Sequence, residues 1–185
     1  MGYAAIVNFV LFQLAWFACV LGAAQGHPWF GPLTVAAVVA YHLARARRPG
    51  PELALLAVAA AIGLLFDSAL VATGWLSYPS GQWHPMLAPY WIVAMWVAFA
   101  TTLNLSLNWL KGRPALSVAF GAIGGPMAYL AGAALGGVSF VEQVPALAAL
   151  ALGWAILTPL LVSLSARLNG WRAPAANGVL AAATE

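Results

Sequence analysis

Residues 52–74 read ELALLAVAAAIGLLFDSALVATG, a run long enough to cross a bilayer as a helix rising 1.5 Å per residue. One carboxylate, Asp67, sits well inside this apolar stretch. An ionisable side chain in hydrocarbon costs at least about 2.5 kcal/mol, so it is retained where the interior of a bundle uses or neutralises it. The segment therefore sets two expectations: a membrane protein, and Asp67 as its first candidate functional group. Ala60, Gly63, Asp67, Val71 and Gly74 fall on one helical face, and small residues let a neighbouring helix come close. That face is expected to be buried, with Asp67 directed inward and roughly 10 Å from the end of its helix.

Of 185 residues, 64% are hydrophobic and 6% charged, against roughly one quarter charged in soluble domains. Dividing the apolar runs at Gly, Pro and charged residues gives spans at 3–24, 28–44, 52–74, 87–110, 115–136 and 144–166. The expected fold is an all-α integral membrane protein, a single six-transmembrane-helix bundle over residues 1–168 with a short flexible tail at 169–185. Pro28 and Pro32 interrupt the second span, which leaves a tilted or partly re-entrant segment open there.

The basic residues give a separate test of the threading. Arg45, Arg47 and Arg48 follow the second span, Lys111 and Arg113 the fourth, and Arg167 and Arg172 the sixth. Cytoplasmic loops carry the Lys and Arg excess. Six spans with both termini cytoplasmic put all of these cations on one side, so the net charge of +3 reads as a topology signal and not as nucleic-acid binding. No Lys or Arg precedes the first span, which is also too long for a signal core and is expected to be a retained helix.

The polar residues inside the spans are the remaining site candidates. Asn8, Phe12, Trp16 and Cys19 form one stripe of the first span, with Gln13 beside it. Amides in such helices either join helices through hydrogen bonds, worth about 0.6 kcal/mol on average, or contact a ligand. His42, one turn before the arginines, either snorkels to the cytoplasm or joins an inner polar cluster. In the fourth span Tyr90, Ala94, Val97, Thr101, Asn104 and Asn108 share a face, which predicts a seam of hydroxyl and amide groups. By depth, Asn8, His42, Asn104 and Asn108 make an inner layer, and Asp67, Trp16, Cys19 and Trp96 an outer one. Gly121-x-x-x-Gly125 and Gly132-x-x-x-Gly136 are close-packing motifs, and Pro126 is expected to kink its helix. Glu142, in the following loop, is either solvated or a partner for Asp67.

One cysteine, Cys19, leaves no intramolecular disulfide and no thiolate cluster, and His27, His42 and His84 are scattered. Neither a CxxCH nor an HExxH pattern occurs, so no metal or cofactor is expected.

The stretches NFVLFQLAWFACVLGAA, FDSALVATGWLSYP, FATTLNLSLNWL and FGAIGGPMAYLAGAALGG, in this order, resemble an uncharacterised bacterial inner-membrane family, domain of unknown function 2878, through Arg167. The resemblance implies a small stand-alone protein of the Gram-negative inner membrane. It also implies a lipid-related role, because genes of the family often neighbour fatty-acid-modifying enzymes of the cyclopropane synthase type. Family members often carry a His after the Asn of the fourth-span motif, where this chain has Leu105 after Asn104.

Three function classes follow from these readings. The first binds or modifies a membrane lipid or other apolar small molecule in an intramembrane cavity, with Asp67 as acid or base. In it Trp16, Tyr90 and Trp96 shape an acyl pocket, and Asn8, Gln13, His42, Thr101, Asn104 and Asn108 supply polar contacts. The second is a small proton-coupled transporter using the same carboxylate and amides. The third is a structural accessory subunit of a membrane complex, with a homodimer through the glycine faces also open.

Overall fold

The computed structural model describes residues 2–172. Among them are six α-helices: α1 (Tyr3–Ala24), α2 (Phe30–Arg45), α3 (Pro49–Ala72), α4 (Tyr90–Thr102), α5 (Pro114–Ala134) and α6 (Gln143–Arg167). Two short strands, β1 (Leu76–Ser77) and β2 (Ser139–Phe140), pair antiparallel with Leu76 opposite Phe140. They tie the loop after α3 to the loop before α6. Residues 173–185, the greater part of the expected tail, lie outside the described residues.

Four helices, α1, α3, α5 and α6, are long and apolar enough to cross a membrane, and the chain is a multi-pass membrane protein. The other two are shorter. At 16 and 13 residues, α2 and α4 extend only about 24 and 20 Å, less than a hydrocarbon core of about 30 Å.

The fourth span departs most from expectation. Its helix starts only at Tyr90, after Pro89, and ends at Thr102 instead of continuing to residue 110. The sequence TTLNLSLN from Thr101 explains the ending, because hydroxyl and amide side chains compete with the helical ladder for backbone partners. The Thr101 and Thr102 hydroxyls bond back to the Ala98 and Phe99 carbonyls, and the Thr102 carbonyl accepts from both Leu105 and Leu107 N–H. A 3-10 turn (Asn108–Leu110) follows. The predicted seam therefore breaks up: Thr101 and Asn104 are buried, while Asn108 is exposed on the turn.

α4 is the centre of the bundle, packed on α1, α2 and α3, while α5 packs on α6 and α6 touches α3. Glycines set the closest approaches. A Cβ on Gly63 would overlap the Trp96 indole, and one on Gly121 or Gly125 would overlap Trp154. The second glycine pair behaves differently. Gly132 has room, and Gly136 lies beyond α5 with φ +83°, where it ends the helix in the left-handed conformation that glycine tolerates. Pro126 lies within an uninterrupted α5.

The ends of α2 and α6 and the starts of α3 and α5 carry Arg45, Arg167, Arg48 and Arg113. This end of the bundle is the basic pole; the opposite end holds the aromatic loop.

Overpacking a tight helix contact typically costs about 1–3 kcal/mol. Gly63→Val is expected to lower the unfolding temperature of the detergent-solubilised protein. Gly124→Ala, where an added Cβ meets nothing within 4 Å, should leave it unchanged or raise it slightly.

Candidate functional site: an apolar cavity between two buried carboxylate networks

Asp67 has no exposed surface. The Trp96 indole N–H donates to its Oδ2 at 2.6 Å, and the Tyr129 hydroxyl donates to Oδ1. Trp96 was an expected neighbour by depth; Tyr129 was not among the sequence candidates. Its signal was its place on the α5 face that also carries Gly121, Gly125 and Gly132, all buried. A tyrosine in a glycine stripe reaches across the interface that the glycines hold close. Glu142 is exposed and is no partner of Asp67.

Beside this group lies a cavity of about 490 Å³, walled by α1 and α4 on one side and α5 and α6 on the other. Aromatic side chains dominate the walls, among them Phe12, Trp16, Trp91, Trp96, Phe120 and Trp154. Trp154 stacks on Trp96 with centroids 4.5 Å apart and planes 12° from parallel. Asp67 does not line the cavity; Trp96 and Tyr129 line it and hold the carboxylate behind them. The expected acid or base thus acts on the cavity only through its two donors.

The other sequence candidates fall in three places. Trp16, Gln13 and Trp96 line the cavity. The predicted α1 stripe divides, because Asn8 and Cys19 are buried in helix packing. Tyr90 stacks on Trp29 at 4.2 Å in an aromatic cluster with Trp83, away from the cavity walls. Asn8, Thr101, His42 and Asn104 are drawn into polar networks at the basic pole.

The first of these networks splints the break after α4. The Asn8 amide donates to the Thr101 carbonyl at 3.2 Å, and its oxygen accepts from the Ser106 hydroxyl at 2.7 Å. Ser106 lines the cavity, so the cavity extends from the Asn8 network to the Tyr129–Asp67 pair and links the two predicted polar layers.

The second network centres on Glu52, which in the sequence marks only the start of a span. Its side chain is fully buried. His42 Nε2 lies 2.8 Å from Oε2, while Asn104 Nδ2 and the Gly170 N–H donate to Oε1 at 2.6 and 2.7 Å. The Lys111 ammonium donates to Asn104 Oδ1, which fixes the amide with its nitrogen towards Glu52. Gly170 has no room for a side chain, since a Cβ would strike the Arg48 carbonyl and Glu52. The signal for Glu52 was its place in the first turn of α3, just after Pro49 and Pro51, where a helix N-terminus favours a carboxylate. Residues 169–172, assigned to the tail from sequence, include this Gly170 contact and an Arg48 bond to the Asn169 carbonyl.

Burial pushes the Lys111 ammonium down from 10.5 to about 8, with Arg172 acting in the same direction and Glu52 opposing both. Among the described residues no three His, Cys, Asp or Glu side chains converge as metal ligands would.

One family model, described as "Protein of unknown function (DUF2878)", matches residues 5–160. No curated protein and no solved structure matches the chain.

Two outcomes follow from the Glu52 network. Removing one partner of a buried, hydrogen-bonded charge typically costs about 3–5 kcal/mol, and Glu52→Ala is expected to lose about that much in denaturant unfolding of the solubilised protein. For the lysine, the folded chain releases its proton at about pH 8 and the unfolded chain at 10.5. The unfolded state therefore binds more protons in that interval, and the contribution of Lys111 to stability rises with pH across it. Unfolding temperatures measured from pH 8 upward should show this rise in the wild type relative to Lys111→Gln.

Proposed function

The chain belongs to the DUF2878 family, and we propose that it holds a lipid or other apolar small molecule in its intramembrane cavity, with the Asp67 group as the fixed polar part of the wall. The observation that carries this reading is the cavity itself. At about 490 Å³ it falls in the range of small-molecule sites, which are largely apolar with a few placed polar groups. Gly124, where an added Cβ meets nothing within 4 Å, keeps it open where a larger side chain would enter it.

In this reading Asp67 acts through its neighbours. By accepting from both Trp96 and Tyr129 it fixes the indole and the phenol in one rotamer each. A ligand then meets a rigid aromatic wall and the lone pairs of a phenol whose proton is already committed. The topology proposed with it is six passes with both termini cytoplasmic, in the bacterial inner membrane. Clustering of the basic residues at one pole supports this orientation. The short α4 fits a pass completed by irregular backbone, which membranes tolerate where protein buries it, and Leu103, Asn104, Ser106 and Leu110 are all buried.

Gly124→Phe tests the proposal, because its side chain enters open space in the cavity wall. Mass spectrometry of lipids that remain bound through purification should find a discrete apolar species on the wild type and on Gly124→Ala, and at least about tenfold less on Gly124→Phe. Equal amounts on all three would overturn the cavity assignment.

A further inference from the structure

We infer that the cavity takes an uncharged, single-chain molecule with one hydrogen-bonding oxygen, a hydroxyl or a carbonyl, received by Gln13 near mid-depth. This rests on the apolar-ligand reading above and specifies its chemistry.

The shape comes from the helices. On α1 the cavity is lined from Phe9 to Val20, and on α5 from Phe120 to Gly132. At 1.5 Å per residue these stretches are about 16 and 18 Å long, a slot along the helix axes covering more than half of a hydrocarbon core of about 30 Å. Such a slot suits one extended chain.

The polar contact comes from a process of commitment. Among the cavity-lining hydroxyls, Thr102 donates to the Phe99 carbonyl, Ser106 to Asn8, and Tyr129 to Asp67. Thr158 Oγ1 and Trp154 Nε1 have no partner among the described residues but are buried, the one under Gly121 and the other in the stack on Trp96. Gln13 is different. It is half-buried and lines the slot, and its carboxamide bonds no other described residue, whereas Asn8 and Asn104 are both fully engaged. Gln13 and Gly124, whose added Cβ would meet nothing within 4 Å, line the same slot. An amide left unpaired in hydrocarbon is costly, and here the usual interhelical partner is missing. A ligand oxygen would supply one.

The charge of the ligand follows from what the walls lack. Among the described residues no Lys, Arg or His lines the cavity, so a carboxylate or phosphate would enter without a counter-ion and beside the Asp67 group. A cationic amine fares no better, since both Asp67 oxygens already accept hydrogen bonds. Burying an unpaired charge is far more costly than burying a hydroxyl.

The test is competition for saturable binding of tritiated hexadecanol to the purified protein in detergent. Hexadecanol and methyl palmitate should compete at least about tenfold better than palmitate at alkaline pH. Hexadecane should be weaker than hexadecanol by the worth of one hydrogen bond, about five- to tenfold. Gln13→Met should bring hexadecanol down to the level of hexadecane, and Gln13→Leu gives the same result if the first variant folds poorly. Palmitate or hexadecane competing equally well, unchanged affinity in both variants, or no saturable hexadecanol binding to the wild type would each overturn the inference. The cavity reading survives those results if Gly124→Phe still strips the co-purifying species, and fails if Gly124→Phe leaves that species in place.

Discussion

A carboxylate with no exposed surface, Glu52, is the constraint around which the basic pole is built. It takes hydrogen bonds from α2 through His42, from the segment after α4 through Asn104, and from the chain beyond α6 through Gly170. Removing a carboxyl, an imidazole and an amide from water is favourable only when their lone pairs and protons find partners. That requirement fixes positions along the whole chain: Pro49 and Pro51 start α3 so that Glu52 falls in its first turn, and Gly170 stays bare so that its backbone can reach the carboxylate. Four separated segments are thus held at one point, and the helices diverge from there with their relative depths set.

With the basic pole fixed, the interior is shaped by a contrast between glycine and tryptophan. Gly63 admits the Trp96 ring against α3, and Gly121 and Gly125 admit Trp154 against α5. The two indoles then stack on each other, bridging the α3–α4 pair and the α5–α6 pair. Neither ring can fill the space towards α1, and the remaining volume is the cavity. Asp67 stabilises the same arrangement from behind, since its oxygens hold the Trp96 and Tyr129 donors in place. The buried acid that marked the sequence is therefore part of the wall's support, and the surface it supports is what a bound molecule would touch.

The break at Thr102 links the two regions. A continuous fourth helix would have carried Asn104 and Asn108 along one face towards solvent. Instead the chain turns beneath α4, where Asn8 supplies the hydrogen bonds the helix has given up and Asn104 turns to Glu52. Irregular backbone at this depth is stable because protein surrounds it, and the side chains that end the helix are the ones that satisfy the turn.

The sequence by itself determined the membrane class, the approximate position of every helix, the gathering of cations at one end, and the burial of Asp67 and Gly63, although Gly74 of the same expected face is exposed. These follow from hydropathy, from charge, and from the 3.6-residue period, all of which act locally along the chain. Only the tertiary structure decided which polar groups meet. Gln13 and Asn8 are similar amides on one helix, yet one faces open space and the other is engaged on both sides; their rotation relative to α4 and α5 made that difference. Tyr129 was invisible as a partner because Asp67 lies 62 residues away in the chain, and the Glu52 network because two of its three partners, Asn104 and Gly170, lie 52 and 118 residues away. The run of hydroxyl and amide residues from Thr101 encodes the end of helix four locally, but that Asn8 of α1 satisfies the turn beyond it is a contact no local pattern shows. A cavity, likewise, is the volume that several helices together fail to fill, and no single segment carries its signature.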